Sequence, residues 1–437
     1  MTPEPDSLRA ALTLLSGSGC PVCQAADDAE SRFFAWFVVE TYGEPPMVEH
    51  LRSSLGLCPR HTRRLLREAP HPGVPNFVFE QVIAAATARL TAARRPPLAT
   101  CPACDSRDLA AQRAVELIVA ELPRPQVLAA YEETGGLCIP HGLQALGLAD
   151  PGRGRLLAEA LARRFGAGGA PATALAGSDP DASERARLRA QLPPEPGSGA
   201  GQRPASDHVR TLRLLRARLR FPACPLCLGL GWAERRYVDW LARGAHDDQS
   251  RLDSAAALCP THLHDLVRTR PSLDEPVGRR AASLWMGALA RLQAGLATLG
   301  SRTARLLLPR TRSTWRTLRA HVRHALPSCP ACSALSVTAE RQADLLARAL
   351  LDRATARHFQ SSHGLCIQCV LAGPTLPLPL EVSRARLALL RWELEEAARK
   401  QAWSFRHEDP GPEGTAWLRA AAVLDGRVFL GGPPARP

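Results

Sequence analysis

The sequence predicts a mostly α-helical fold assembled from repeated units, and three observations predict it. Leucine and alanine dominate a hydrophobic content of 45%, while aromatic residues make up only 5%; that balance favours helices over strands. Apolar side chains recur at helical spacing, as at Phe33, Trp36 and Phe37. Short cysteine motifs return four times along the 437 residues, and self-similarity of this kind decides an architecture before any single residue does.

The repeat is justified motif by motif. Cys20 and Cys23 form CPVC, Cys101 and Cys104 form CPAC, Cys224 and Cys227 form CPLC, and Cys329 and Cys332 form CPAC again. Each is followed, 31 to 34 residues later, by a second short motif. These are GLCPRH with Cys58 and His61, GLCIPH with Cys138 and His141, ALCPTH with Cys259 and His262, and GLCIQC with Cys366 and Cys369. The register extends beyond them. Trp36 and Trp240 lie thirteen residues after Cys23 and Cys227, where the other two repeats have Leu117 and Leu345. Tyr131 and Phe359 each precede the third cysteine of their repeat by seven residues. Repeats one and three are most alike, as are two and four, so the chain reads as a duplicated pair.

Paired cysteines two residues apart reach one ion from a tight turn, and a second pair at a helix start completes a tetrahedral set. The helix N-terminus supports thiolate there. The spacing predicts about four zinc ions per chain, each closed by the two motifs of one repeat. For the fourth repeat the expected set is Cys329, Cys332, Cys366 and Cys369, with His363 as the alternative to Cys369. Iron–sulfur ligation and CxxC redox chemistry are the competing readings. No CxxC is followed by His, which excludes covalent c-type haem. Thirteen cysteines with no export signal argue against a disulfide framework.

The expected organisation is 1–165 for repeats one and two, a flexible Gly/Pro/Ala-rich linker at 166–206, 207–400 for repeats three and four, and a tail at 401–437. In that tail Asp425-Gly426, between apolar runs at 421–432, suggests a small hairpin. The net charge is +13, and Lys400 is the sole lysine; such arginine use matches a GC-rich bacterial genome. Between Pro276 and Ala339 there is no acidic residue, and Arg312, Arg316, Arg319 and Arg323 form one helical stripe. That stripe is a candidate anion-binding surface, for phosphate contacts on nucleic acid or for an acidic protein. A similar run is Arg210, Arg213, Arg216, Arg218 and Arg220.

The CPxC…GLCxxH pattern resembles a set of uncharacterised bacterial zinc-binding helical proteins, over the four repeats. The resemblance implies a helical zinc-binding fold in the cytoplasm and no activity. Cys369 is the position that leaves the pattern. No phosphate loop, nucleophile elbow or H-E-x-x-H motif is present. Met1–Leu15 lacks the basic start and long apolar core of a signal peptide, and no apolar run approaches the ~20 residues of a membrane span. The expected function is a non-catalytic zinc-stabilised scaffold for a protein partner. The alternatives are nucleic-acid binding through the arginine faces and a labile-metal or thiol-redox role at the fourth site.

Overall fold

A computed structural model describes residues 6–92, 96–166, 170–196, 207–299, 328–373, 376–405 and 407–428, and the backbone alone of 151, 207–211 and 291–299. Twenty-one α-helices and no strand occur among the described residues. Over its described part, 421–428, the expected hairpin is not formed: Ala416–Leu424 is a helix, and a turn follows at 426–428. The run AWLRAAAVL contains four alanines and two leucines, and strong helix formers outweigh the local turn signal of Asp425-Gly426.

The cysteine motifs set the helix starts. In Cys-Pro the proline disfavours helical geometry for the cysteine and suits the first helical position for itself. Helices accordingly begin at Pro21 (α2, Pro21–Phe37), Pro59 (α4, Pro59–Glu68), Pro102 (α6, Pro102–Glu121), Pro225 (α13, Pro225–Gly244), Pro260 (α15, Pro260–Thr269) and Pro330 (α17, Pro330–Ala349). Ile139 and Ile367 open the two others, α8 (Ile139–Leu148) and α19 (Ile367–Ala372). Cys58, Cys138, Cys259 and Cys366 stand one residue outside their helices, extended, with ψ between 157° and 167°. The glycine two residues before the third cysteine takes positive φ in three repeats, +91° at Gly56, +63° at Gly136 and +74° at Gly364. A Cβ at Gly136 would also lie 2.8 Å from the Tyr131 ring.

The chain divides into two compact units, neither of which is a sequence half. Unit 1 comprises Met1–Ala29, Ser106–Ser183 and Arg236–Ala334; unit 2 comprises Glu30–Asp105, Glu184–Arg235 and Leu335–Pro437. The boundaries at 29/30, 105/106, 183/184, 235/236 and 334/335 fall inside helices.

In unit 1, α9 (Pro151–Gly166) packs on α16 (Asp274–Leu299), with Phe165 and Trp285 ring centroids 6.3 Å apart. The short α10 (Ala172–Ala176) lies on α15 and α16; Asp274 accepts from the Thr173 backbone N–H at 2.9 Å. In unit 2, α5 (Gly73–Thr91) packs on α20 (Pro377–Gln401). Buried Asn76 donates to the Leu394 carbonyl at 2.9 Å and Arg384 to the Leu90 carbonyl at 3.0 Å. The helix Ala416–Leu424, α21, lies on α5 and α20. The units are thus built alike: a long helix from each half of the sequence, with a short alanine-rich helix beside them.

The segment expected as a linker is partly ordered structure. Residues 170–196 carry α10 and α11 (Ala182–Ala190), with Leu175, Leu188 and Leu192 buried. In unit 2, Leu192 joins a small core around Trp232, whose indole N–H donates to the Pro193 carbonyl at 2.8 Å. Apolar side chains at helical intervals inside a Gly- and Pro-rich stretch are what hold it down.

Candidate metal centres

The structure brings all sixteen motif residues together in four tetrads, grouped differently from the sequence expectation. Within unit 1, Cys20 and Cys23 meet Cys138 and His141, and Cys259 and His262 meet Cys329 and Cys332. Within unit 2, Cys58 and His61 meet Cys101 and Cys104, and Cys224 and Cys227 meet Cys366 and Cys369. No CPxC closes on the motif that follows it. The physical reason is helix rigidity: α2 runs on to Phe37 and carries the chain about 21 Å from Cys23 before it can turn. The expected set Cys329, Cys332, Cys366 and Cys369 is therefore divided between two tetrads. The all-cysteine tetrad exists, built on Cys224 and Cys227. His363 lies outside it, half-buried, with its buried Nε2 unpaired and its pKa pushed down to about 4 by desolvation and by Arg386.

Within each tetrad the ligand atoms lie no more than 4.8 Å apart. His141 Nδ1 is 3.4 Å from Cys20 Sγ, 3.4 Å from Cys23 Sγ and 3.2 Å from Cys138 Sγ. His61 Nδ1 is 3.3, 3.3 and 3.5 Å from the sulfurs of Cys58, Cys101 and Cys104. His262 Nδ1 is 3.2, 3.5 and 3.5 Å from those of Cys259, Cys329 and Cys332. The close sulfur–sulfur contacts include 3.6 Å for Cys227–Cys369, 3.8 Å for Cys23–Cys138 and for Cys58–Cys104, and 3.9 Å for Cys259–Cys332. A tetrahedral ion with bonds of about 2.3 Å to sulfur and about 2.0 Å to nitrogen has S···S edges of about 3.8 Å and S···N edges of about 3.5 Å. The donor sets fit one four-coordinate ion each, and the sulfurs are far beyond the ~2.05 Å of a disulfide.

The electrostatics point the same way. Hydrogen bonds within the first tetrad hold Cys20 down to about 3 and push Cys138 well up. Hydrogen bonding with Cys259 likewise holds Cys329 down to about 3, while Cys259 is raised. Crowded thiols share protons because a full set of thiolates repel; a bound cation would displace those protons. His61, despite burial that lowers it, is pushed up to about 11 by its hydrogen bonds with Cys101 and Cys58 and by the Glu30 carboxylate beside its Nε2.

Three features beyond the ligands position the tetrads. Buried Glu30 lies 3.4 Å from His61 Nε2, is ion-paired to Arg60, and accepts from Arg64 at 3.0 Å. It fixes the ring so that Nδ1 faces the sulfurs. Glu30→Gln should weaken metal binding at the Cys58 tetrad by about 10- to 100-fold and spare the other three, measured by competition with a chromophoric chelator.

The second feature is Gly177, at φ +89°, after α10. A Cβ there would sit 2.8 Å from Cys23 Sγ and 3.0 Å from Cys138 Sγ, and the Ser178 backbone N–H donates to Cys23 Sγ at 3.4 Å. The third is Gly426, after α21, where a Cβ would sit 2.7 Å from Cys224 Cβ and 3.1 Å from Cys227 Sγ. Gly177→Ala is expected to lower metal content by one ion per chain, whereas Gly43→Ala, whose added Cβ meets nothing within 4 Å, leaves it unchanged. Elemental analysis of the two variants checks this.

Sequence reasoning missed both lids. Their signal was there: ATALAGSD at 172–179 and AAAVLDGR at 420–427 are each an alanine-rich helix end followed by glycine, so the duplication extends past the cysteines. Beside the all-cysteine tetrad the second lid carries Arg427. Hydrogen bonds to Asp425 and negative charge at Cys227 and Cys366 hold its pKa up. The first lid has neutral Ser178 there.

The two tryptophans at the repeated position thirteen residues after the CPxC are not core, whereas Leu117 there packs against the core of unit 1. Trp36 is 59% exposed and Trp240 38% exposed. Tyr131 and Phe359 are buried. Of the arginine faces, Arg312, Arg316, Arg319 and Arg323 lie outside the described residues. On α12 (Asp207–Arg218), Arg216 donates to Asp352 at 2.6 Å and Arg218 pairs with Glu195 at 3.5 Å, so part of that face is engaged within unit 2. No helix among the described residues is long and apolar enough to cross a membrane. Comparison with known protein families, with curated proteins and with solved structures finds no match.

Proposed function

We propose that each tetrad holds one zinc ion and that the chain is a non-catalytic, zinc-stabilised helical scaffold for a protein partner. The observation that carries the metal reading is the edge length of the four tetrads, which suits a single tetrahedral ion. Three thiolates and an imidazole, or four thiolates, fill the coordination sphere and leave no position for water or substrate, which catalytic zinc keeps open. A separation below 5 Å leaves no space for a cluster of several irons bridged by sulfide. Zinc supplies no redox chemistry in such a site; it cross-links helix starts distant in sequence.

Elemental analysis of protein purified without added metal tests this. About four zinc ions per chain are expected; iron with visible colour would overturn the reading. Exposed apolar side chains in unit 2 favour a protein partner: Leu389 and Trp392 on one face of α20, and Trp403 just beyond it, are 57%, 59% and 74% exposed. Charge placed at Leu389 and Trp392 should abolish partner capture with zinc content unchanged. The nucleic-acid reading rests on arginines outside the described residues. Retention on DNA or RNA that falls steeply with salt would support it.

A further inference from the structure

One tetrad differs from the rest in what surrounds it. Cys332 is the only exposed cysteine of the thirteen, and its partners Cys259 and Cys329 are half-buried. Within unit 1 the same tetrad adjoins an apolar cavity of about 240 Å³ whose wall includes Leu143, Leu175, Leu263 and Trp285 together with Cys259 and Cys329. A cavity of ~150 Å³ lined by apolar side chains holds benzene, so this one holds an aromatic ring with several further carbons. The cysteines are its most reactive lining residues.

We infer that the Cys259–His262–Cys329–Cys332 site responds to apolar organic hydroperoxides, the cavity binding the apolar part and presenting the O–O bond to Cys329. The inference rests on the zinc reading above. The Cys329 thiolate attacks the peroxide oxygen; with one proton this gives a sulfenic acid and releases the alcohol. A second thiolate, Cys259 or Cys332, each within 4.8 Å, displaces hydroxide from that sulfur, which leaves as water with a second proton. A disulfide has formed, the hydroperoxide is reduced, two thiolates are oxidised, and the zinc loses two of its four ligands. No other tetrad has an exposed cysteine: the Cys20 and Cys224 sites have three buried cysteines each, and the Cys58 site has one buried and two half-buried.

The test treats zinc-loaded full-length protein with cumene hydroperoxide or hydrogen peroxide at equal concentration. Zinc release is read with a chromophoric chelator and disulfides by mass spectrometry. The expected result is release of one zinc per chain before the others, at least about tenfold faster with cumene hydroperoxide, with Cys329 in the disulfide; burying roughly 60 Å² of apolar surface gives that discrimination. Leu143→Phe and Ala176→Leu, which fill the cavity, should bring the two rates together while zinc content and helicity are retained. Equal rates in the unaltered protein, zinc lost alike from all four sites, or unchanged discrimination in whichever cavity variant folds would overturn the inference. Absence of zinc from the untreated protein would overturn the zinc reading instead, and the rate of Cys329 disulfide formation alone would then decide the peroxide preference.

Discussion

The double variant Cys23→Ser, Cys138→Ser is expected to retain three metal ions, and the double variant Cys23→Ser, Cys58→Ser only two. The first pair shares one tetrad and the second is split between two. Pairing within each sequence repeat predicts the reverse: two ions retained by the first double variant and three by the second. The single variants do not separate these schemes, because each removes one ligand under either. The double variants do, by an integer number of ions, which elemental analysis resolves without any assumption about affinity. Cys227→Ser with Cys369→Ser extends the test to the all-cysteine tetrad and should retain three ions, whereas His363→Ala should retain all four.

Metal removal is expected to unfold both units together with their helices. Each tetrad joins two helix starts: α2 with α8, α4 with α6, α13 with α19, and α15 with α17. Binding one structural zinc supplies on the order of 10–16 kcal/mol in small zinc peptides, whereas a domain's whole net stability is about 5–15 kcal/mol. The hydrophobic cores do not compensate easily, since the tetrads tie together segments that hold little core of their own, such as the six-residue α19. Prolonged treatment with a strong chelator under reducing conditions should therefore lower far-ultraviolet circular dichroism at 222 nm in step with zinc release. Acid should act likewise, because the departing ion is replaced by protons on the thiolates and on His61. Full helicity in metal-free protein would show that packing alone suffices. Restoration by zinc after dialysis would distinguish unfolding from aggregation.

Much of the fold was legible without coordinates. The Leu- and Ala-rich composition and the 3.6-residue periodicity predict helices, and the Cys-Pro dipeptides mark six of the eight helix starts at the tetrads. Each of those rests on a local cause: backbone sterics of proline, side-chain entropy, and the reach of two sulfurs across a turn. The sixteen clustered residues were legible for the same reason, since C-x2-C and C-x2-H are local devices.

Tertiary structure alone decided which pair meets which. A spacer of 31 to 34 residues is long enough to return to its own CPxC or to leave it, and sequence distance does not tell the two apart. The rigid run of α2 does, as it commits Glu30 onward to unit 2 while Cys20 and Cys23 stay in unit 1. The lids were hidden for a related reason. Gly177 and Gly426 lie 36 and 57 residues beyond His141 and Cys369, within stretches whose glycine and proline content reads as linker and tail. What makes them part of the sites is the absence of a side chain where sulfur atoms approach within about 3 Å of the position a Cβ would take. That constraint exists only once the chain has closed upon itself.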